Sequence, residues 1–288
     1  MTPESATHRE GVGREGEASP GYVDIHSHLV PGVDDGAPTL EDALEGLDRM
    51  VSRGVSRVVT TPHLDASLTR TPALLQSVLD RMDKAFEALS TAAAARHPSL
   101  VLDRAHEVKL DIPDPDLSEP RLRYPGTRVV LVEWPGLQIP PGTARVLEEL
   151  VEAGVQPLIA HPERYRGLEA HPGLPAAWRQ AGAWLLVNHG SLVGRYGKEA
   201  ERNATRLLAL GWVDGMATDF HGRPTLDLYL ERARSWFELR GAEEAWQLLS
   251  SENPSRMASG RSPLEVPPVA SPPDGLMRRI RSALGGLR

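Results

Sequence analysis

The chain has 288 residues, 40% of them apolar, which is enough to bury one substantial core. Its net charge of −7 argues against a general nucleic-acid binder, since phosphate backbones are held chiefly by lysine and arginine, and its lack of cysteine excludes disulfides, thiolate metal sites and a thiol nucleophile. No apolar run approaches the length of a bilayer span and the polar stretch Met1 to Pro20 has no signal-peptide core, so a cytoplasmic protein is expected.

Taken in chain order, residues 1–20 are rich in Gly, Glu, Ser and Thr without periodicity and predict a disordered N-terminal extension. Apolar strand candidates follow at 22–26, 55–62, 99–108, 128–134, 155–161, 183–188 and 213–219. Helical stretches alternate with them at Leu40 to Arg53, Pro72 to Ala95, Pro141 to Ala153, Pro175 to Ala181, Lys198 to Leu210 and Thr225 to Leu239. Thr39 reads as a helix cap, and Gly54, Gly154, Gly182 and Gly211 read as helix stops. Such alternation predicts an α/β fold of parallel strands with helical crossovers in a domain over 21–260. A Pro/Ser-rich linker from about Arg261 leads to a short basic amphipathic tail, Leu276 to Leu284, which suits an anionic membrane surface, a partner, or plain solvation.

Histidines and acids recur where the apolar runs end. His26 and His28 follow the first run, His63 the second, Glu133 the run Val129 to Val132, His161 the run Leu158 to Ala160, and Asp219 and His221 the last. Alternate residues of a strand share a face, so each His-x-His or Asp-x-His pair can reach one ion. A lone His-x-His is more often an ordinary pair of histidines, but recurrence at five strand ends describes a metal cage. Ligands converging from most strands favour a seven-unit barrel, with the site at its C-terminal rim, over an open sheet.

The segment from Asp24 to Ala37, Asp-Ile-His-Ser-His-Leu-Val-Pro-Gly-Val-Asp-Asp-Gly-Ala, resembles the signature of the polymerase and histidinol phosphatase (PHP) superfamily. More specifically, it resembles the manganese-dependent tyrosine phosphatases of bacterial capsule and exopolysaccharide operons. Thr60 to His63, Ile159 to Arg164, Gly190 to Gly197 and Ala217 to His221 point the same way and in the same order. The resemblance implies a distorted (β/α)7 barrel of PHP type and three Mn²⁺ ions. His26, His28, Glu133 and Asp219 would hold one ion; His63, Glu133 and His161 a second; and Asp35, Glu107 and His221 a third, with Glu133 bridging two. Imidazole and carboxylate donors without thiolate also suit Fe or Zn.

Each residue has a plainer reading. Asp34-Asp35-Gly36 alone is a turn, and only its place after His-x-His makes Asp35 a ligand, with Asp34 structural. Glu107 also reads as an ordinary exposed acid, and His106 beside it stands where the family carries a small residue. Glu133 directly after an apolar strand would be an uncompensated buried charge without a cation. Arg164, after His161-Pro162-Glu163, and Arg223, in a compressed His221-Gly222-Arg223-Pro224 segment, are phosphate-clamp candidates, since guanidinium matches two phosphate oxygens.

The resemblance implies hydrolysis of phosphotyrosine by attack of a metal-bound hydroxide, regulating polysaccharide synthesis by dephosphorylating a bacterial tyrosine kinase. A phenolate of pKa about 10 leaves readily, so a general acid matters little, and His189 is incidental or assists departure. The alternatives are a small-molecule phosphoesterase of the same superfamily, acting on histidinol phosphate or a nucleotide, and a non-catalytic metal-stabilised interaction module.

Overall fold

The computed structural model describes residues 21–270. The N-terminal extension and the basic tail expected from sequence lie outside them. Nine strands are formed among the described residues: β1 (Tyr22–Asp24), β2 (Val55–Thr60), β3 (His63–Asp65), β4 (Val101–Arg104), β5 (Glu107–Lys109), β6 (Val129–Glu133), β7 (Gln156–Ala160), β8 (Trp184–Asn188) and β9 (Gly215–Ala217). All the pairings are parallel, in one sheet ordered β1-β2-β4 and another ordered β3-β5-β6-β7-β8-β9.

The expected strand 99–108 is broken in the middle, and the expected strand 55–62 ends at Thr60 and is followed after a gap by a short extra strand. β2 and β3 are separated by Thr61-Pro62, and β4 and β5 by Ala105-His106. Proline has no N–H for the ladder, so it accounts for the first break. Bonds from Ala105 N to Thr60 O (3.0 Å) and Glu107 N to Pro62 O (3.1 Å) carry the wall across both gaps. Closure comes from a parallel bridge between Ser27 and Phe220, with His28 N donating to Phe220 O (2.8 Å) and Asp219 N to His26 O (2.9 Å). The two ligand-bearing strand ends are thereby stitched directly to each other.

The long helices are α1 (Leu40–Val51), α2 (Pro72–Arg96), α3 (Thr143–Glu152), α4 (Leu174–Gln180), α5 (Lys198–Ala209) and α6 (Leu230–Glu238), followed by the short α7 (Glu243–Gln247) and α8 (Asn253–Met257). Thr39 caps α1 by accepting from Asp42 N at 3.2 Å, and Gly54, Gly154, Gly182 and Gly211 all take positive φ after their helices. α6 starts five residues later than its periodicity predicts. Arg49 on α1 donates to the carbonyls of Arg223, Pro224 and Leu226, holding that stretch as a loop, and Tyr229 enters the helix in a left-handed conformation.

The packed domain also runs past 260, where sequence places a linker. Val266 and Val269 are buried in the core, Val269 N donates to Leu208 O, and Asn253 pairs through its amide with both backbone groups of Leu264. Two valines spaced among prolines carry too little periodicity to reveal this docking. No helix among the described residues is long and apolar enough to cross a membrane.

Candidate metal centre and active site

All nine expected ligand side chains reach one region at the barrel's C-terminal rim, most from strand ends, with His63 and Glu107 opening β3 and β5 and Asp35 coming from the loop after β1. His161 and Asp219 sit there with positive φ (35° and 51°), a conformation rare for residues with a β-carbon and one that accumulates at functional sites. The Asp34-Asp35-Gly36 turn folds back onto the cage: Asp34 Oδ1 accepts from Gly36 N at 2.9 Å and Asp34 Oδ2 meets His28 Nδ1 at 2.8 Å. Gly36 is obligatory, because a β-carbon there would lie 2.2 Å from the His28 carbonyl oxygen. Asp34 therefore orients an imidazole through its second nitrogen, as metal-binding histidines commonly require.

Glu107 is the hub. It is fully buried, not an exposed acid, and its carboxylate lies 2.9 Å from His161 Nε2, 3.0 Å from His63 Nδ1, 3.3 Å from His28 Nε2 and 3.5 Å from His26 Nε2. Glu133 approaches only His63 (3.5 Å) and His161 (3.9 Å). Donor atoms able to share an ion form four overlapping groups among the described residues: His26, Glu107 and His161; His26, His28 and Asp219; His63, Glu107 and Glu133; and His28, Asp35, His63 and His221.

The grouping thus differs from that implied by the family resemblance, since Glu107, not Glu133, is the carboxylate shared between groups. His63 also joins Asp35 and His221 on the open side. The reason is positional. Glu107 begins β5 after the β4–β5 break and points into the barrel mouth, whereas Glu133 ends β6 nearer the rim.

Electrostatics in the cage are tightly balanced. Burial pulls the His26 imidazole down to about 3. Burial also opposes charge on His28, but hydrogen bonds to Asp219, Asp34 and Glu107 outweigh it and hold His28 well above the usual histidine range. Burial works against ionised Glu107 and Asp219, yet the surrounding imidazoles, His26 foremost, together with Arg164 at Asp219, hold both carboxyls well below the usual range. Glu133 is pushed up by burial and by the Glu107 charge. The buried His26 Nε2, His28 Nε2, His63 Nδ1 and Glu107 Oε2 lack a well-aligned hydrogen bond and meet neighbouring polar atoms only at the ion-pair distances above. Each such orphan costs about 1–3 kcal/mol. Divalent cations would satisfy all four, and the imidazole and carboxylate donor set suits Mn, Fe or Zn.

Seven of the ligand candidates, all but the deeper His26 and His28, line a cavity of about 210 Å³ together with Lys109, Gly136, Leu137 and Arg164. Arg164 places Nη1 2.5 Å from Asp219 Oδ2, with its guanidinium 4.1 Å from the centre of the Tyr196 ring. Arg223 is elsewhere. It is exposed, does not line the cavity, and donates through Nη2 to the Asp35 carbonyl at 2.6 Å. The compressed Gly222 segment turns Arg223 onto the Asp35 loop, so it clasps that loop.

His189 is buried against Ser250 and Trp246, away from the cavity, and burial pulls it down to about 3. Sequence reasoning missed Lys109 and Leu137, which carry no motif, and Tyr196, which lies inside one. It also left Glu163 without a role. That fully buried carboxylate accepts from Ser191 Oγ (2.6 Å) and Asn188 N (3.0 Å), tying His-Pro-Glu-Arg to the Gly-Ser-Leu block.

These features define a parallel βα-barrel protein with a candidate polynuclear metal centre at its C-terminal rim. The family model for capsular polysaccharide synthesis, CpsB/CapC, matches residues 22–259, and the chain belongs to that family. The tyrosine-protein phosphatase YwqE of Bacillus subtilis (strain 168) is 27% identical over 249 residues, covering 85% of this chain and 95% of the relative. The tyrosine-protein phosphatase CpsB of Streptococcus pneumoniae is 25% identical over 248 residues, covering 82% and 97%. A chain from the crystal structures of YwqE from Bacillus subtilis and CpsB from Streptococcus pneumoniae, described as unique metal-dependent tyrosine phosphatases, superposes with a TM-score of 0.70 at 25% identity, covering 87% of this chain and 100% of the other. An amidohydrolase from Mycoplasma synoviae shares the fold, with a TM-score of 0.53 at 13% identity over 93% of this chain and 95% of its own.

Proposed function

We propose that this protein is a metal-dependent protein-tyrosine phosphatase of capsule or exopolysaccharide synthesis. The observation that carries the reading is the Glu107-centred cage opening into a cavity beside Arg164. Its substrate is a phosphotyrosine protein, with a cytoplasmic bacterial tyrosine kinase of polysaccharide export as the natural partner. His26, His28, Glu107 and Asp219 would hold one ion, Glu107, Glu133 and His161 a second, and Asp35, His63 and His221 a third, with Mn²⁺ preferred on family grounds. When bound, such ions supply an acidified water nucleophile and neutralise charge on the phosphoryl oxygens.

The chain's own residues do the rest. Arg164 binds the phosphoryl oxygens with its planar fork, and its contacts with Asp219 and the Tyr196 ring pre-orient it. Asp34 fixes the His28 ring by holding Nδ1, leaving Nε2 directed at the cage. The leaving phenolate, of pKa about 10, is a good leaving group, so its departure needs little help from a general acid. Phosphate release from a tyrosine-phosphorylated peptide, measured beside histidinol phosphate, tests the reading. Preferential turnover of the peptide is expected, and preferential turnover of histidinol phosphate would overturn it in favour of a small-molecule phosphoesterase.

A further inference from the structure

Almost every side chain around the cavity is charged or a metal-ligand candidate. Among the described residues, Leu137 is the only apolar side chain in the lining. It is half-buried, packed against the core on one side and open to the cavity on the other. Its backbone is left-handed (φ 56°), directly after Gly136 at φ 61°. A leucine pays about 1–2 kcal/mol for that conformation, so its surroundings must enforce it. They do so on both sides: Gln138 N donates to Pro135 O at 3.2 Å, closing the turn, and Arg166 N donates to the Leu137 carbonyl at 3.0 Å. Arg166 follows the His-Pro-Glu-Arg segment closely, so Leu137 is tied to the loop that carries Arg164. Besides Arg164, the remaining non-ligand side chain of the lining, Lys109, donates to Asp65 at 3.0 Å.

We infer that Leu137 forms an aryl subsite that receives the ring of the phosphorylated side chain and selects aryl over alkyl phosphate esters. The inference rests on the phosphatase reading above. With the phosphoryl group between the cage and Arg164, the ester oxygen points toward the mouth. A phenyl ring attached to it leaves water against whatever apolar surface the wall presents, and Leu137 is the side chain that presents it. An alkyl ester such as phosphoserine has no ring to place there and gains nothing from it.

The test compares wild type with Leu137→Asn, since asparagine tolerates the left-handed backbone but removes the apolar surface, and with Leu137→Met, which keeps it. Leu137→Asn is expected to weaken calorimetric binding of phenylphosphonate to the metal-loaded protein about five- to tenfold, as fits partial burial of one leucine side chain. Binding of methylphosphonate should stay within twofold, and Leu137→Met should stay near wild type for both. The KM for a phosphotyrosyl peptide should rise in parallel with the phenylphosphonate loss. Equal loss of both phosphonates in Leu137→Asn, or no loss of either, overturns the aryl subsite. If Leu137→Asn fails to fold, a Leu137→Met protein that loses phenylphosphonate selectivity overturns it, and one that keeps selectivity supports it. Wild-type protein that binds both phosphonates but releases no phosphate from phosphotyrosyl peptide sinks the phosphatase reading separately, because that outcome needs no variant.

Discussion

Replacing Glu107 by glutamine keeps the shape of the hub and removes its charge. The carboxylate faces four imidazoles at 2.9–3.5 Å, and its partner His28, whose pKa its carboxylate neighbours hold well above the usual histidine range, lies 3.3 Å away. At an effective dielectric constant near 20, one such pair is worth about 5 kcal/mol, and stranding a buried charge by removing its partner typically costs about 3–5 kcal/mol. Glu107→Gln is therefore expected to lower the Tm of metal-stripped protein by at least about 6 °C, using the scaling of about 2–4 °C per kcal/mol. It should also reduce bound metal, read by elemental analysis, and cut phosphotyrosyl-peptide turnover by roughly a hundredfold or more. Glu133→Gln behaves differently. Burial and the Glu107 charge push the Glu133 carboxyl up, so neutralising it relieves repulsion and leaves the stripped protein as stable as wild type or more so, while still weakening metal binding. A Glu107→Gln protein with unchanged Tm and full metal content would refute the assignment of the hub.

Arg164 and Arg223 separate cleanly. Arg164→Ala should lower kcat/KM for phosphotyrosyl peptide by about 100- to 1000-fold, the usual cost of losing one aimed donor at a developing charge, whereas Arg223→Ala, which frees only the Asp35 carbonyl, should lose less than tenfold. Equal losses would return Arg223 to the cavity. Ser191→Ala removes the 2.6 Å donor to buried Glu163 and should cost about 1–3 kcal/mol in denaturant unfolding without changing the slope; an unchanged midpoint would mean Glu163 is satisfied without Ser191. His189 supplies a pH signature. Its folded pKa is depressed to about 3, so the unfolded chain binds more protons below the ordinary value near 6.5, and stability is lost as pH falls from about 6.5 toward 3. Between pH 7.5 and 5 that loss is about 2 kcal/mol, at about 1.4 kcal/mol per unit. His189→Leu should remove that much of the acid sensitivity, and an identical pH profile in the variant would contradict it.

Sequence revealed the parts of this structure that repeat. Alternating apolar runs and glycine-stopped helices set out the order of the elements, and the residues after five of the runs pointed to seven cage side chains, with Asp35 and Glu107 added only by the family resemblance. What it missed depends on contacts between distant segments. No pattern distinguishes Glu107 from Glu133 as the shared carboxylate, because the difference lies in the β4–β5 break that sets Glu107 deep in the mouth. Arg223 reads as a phosphate clamp until Gly222 is seen turning it onto the Asp35 loop. The late start of α6 depends on Arg49, which is more than 170 residues away in the chain. Leu137 looks like a loop leucine, and its meaning comes only from the charged wall around it.

The most direct test of the cage as a hydrolytic metal centre is a Mn²⁺ titration of metal-stripped protein, following bound ion and phosphotyrosyl-peptide turnover together. Turnover that is absent in chelator and returns in step with bound metal is the predicted result. Full-rate turnover by the stripped protein in chelator would contradict the account.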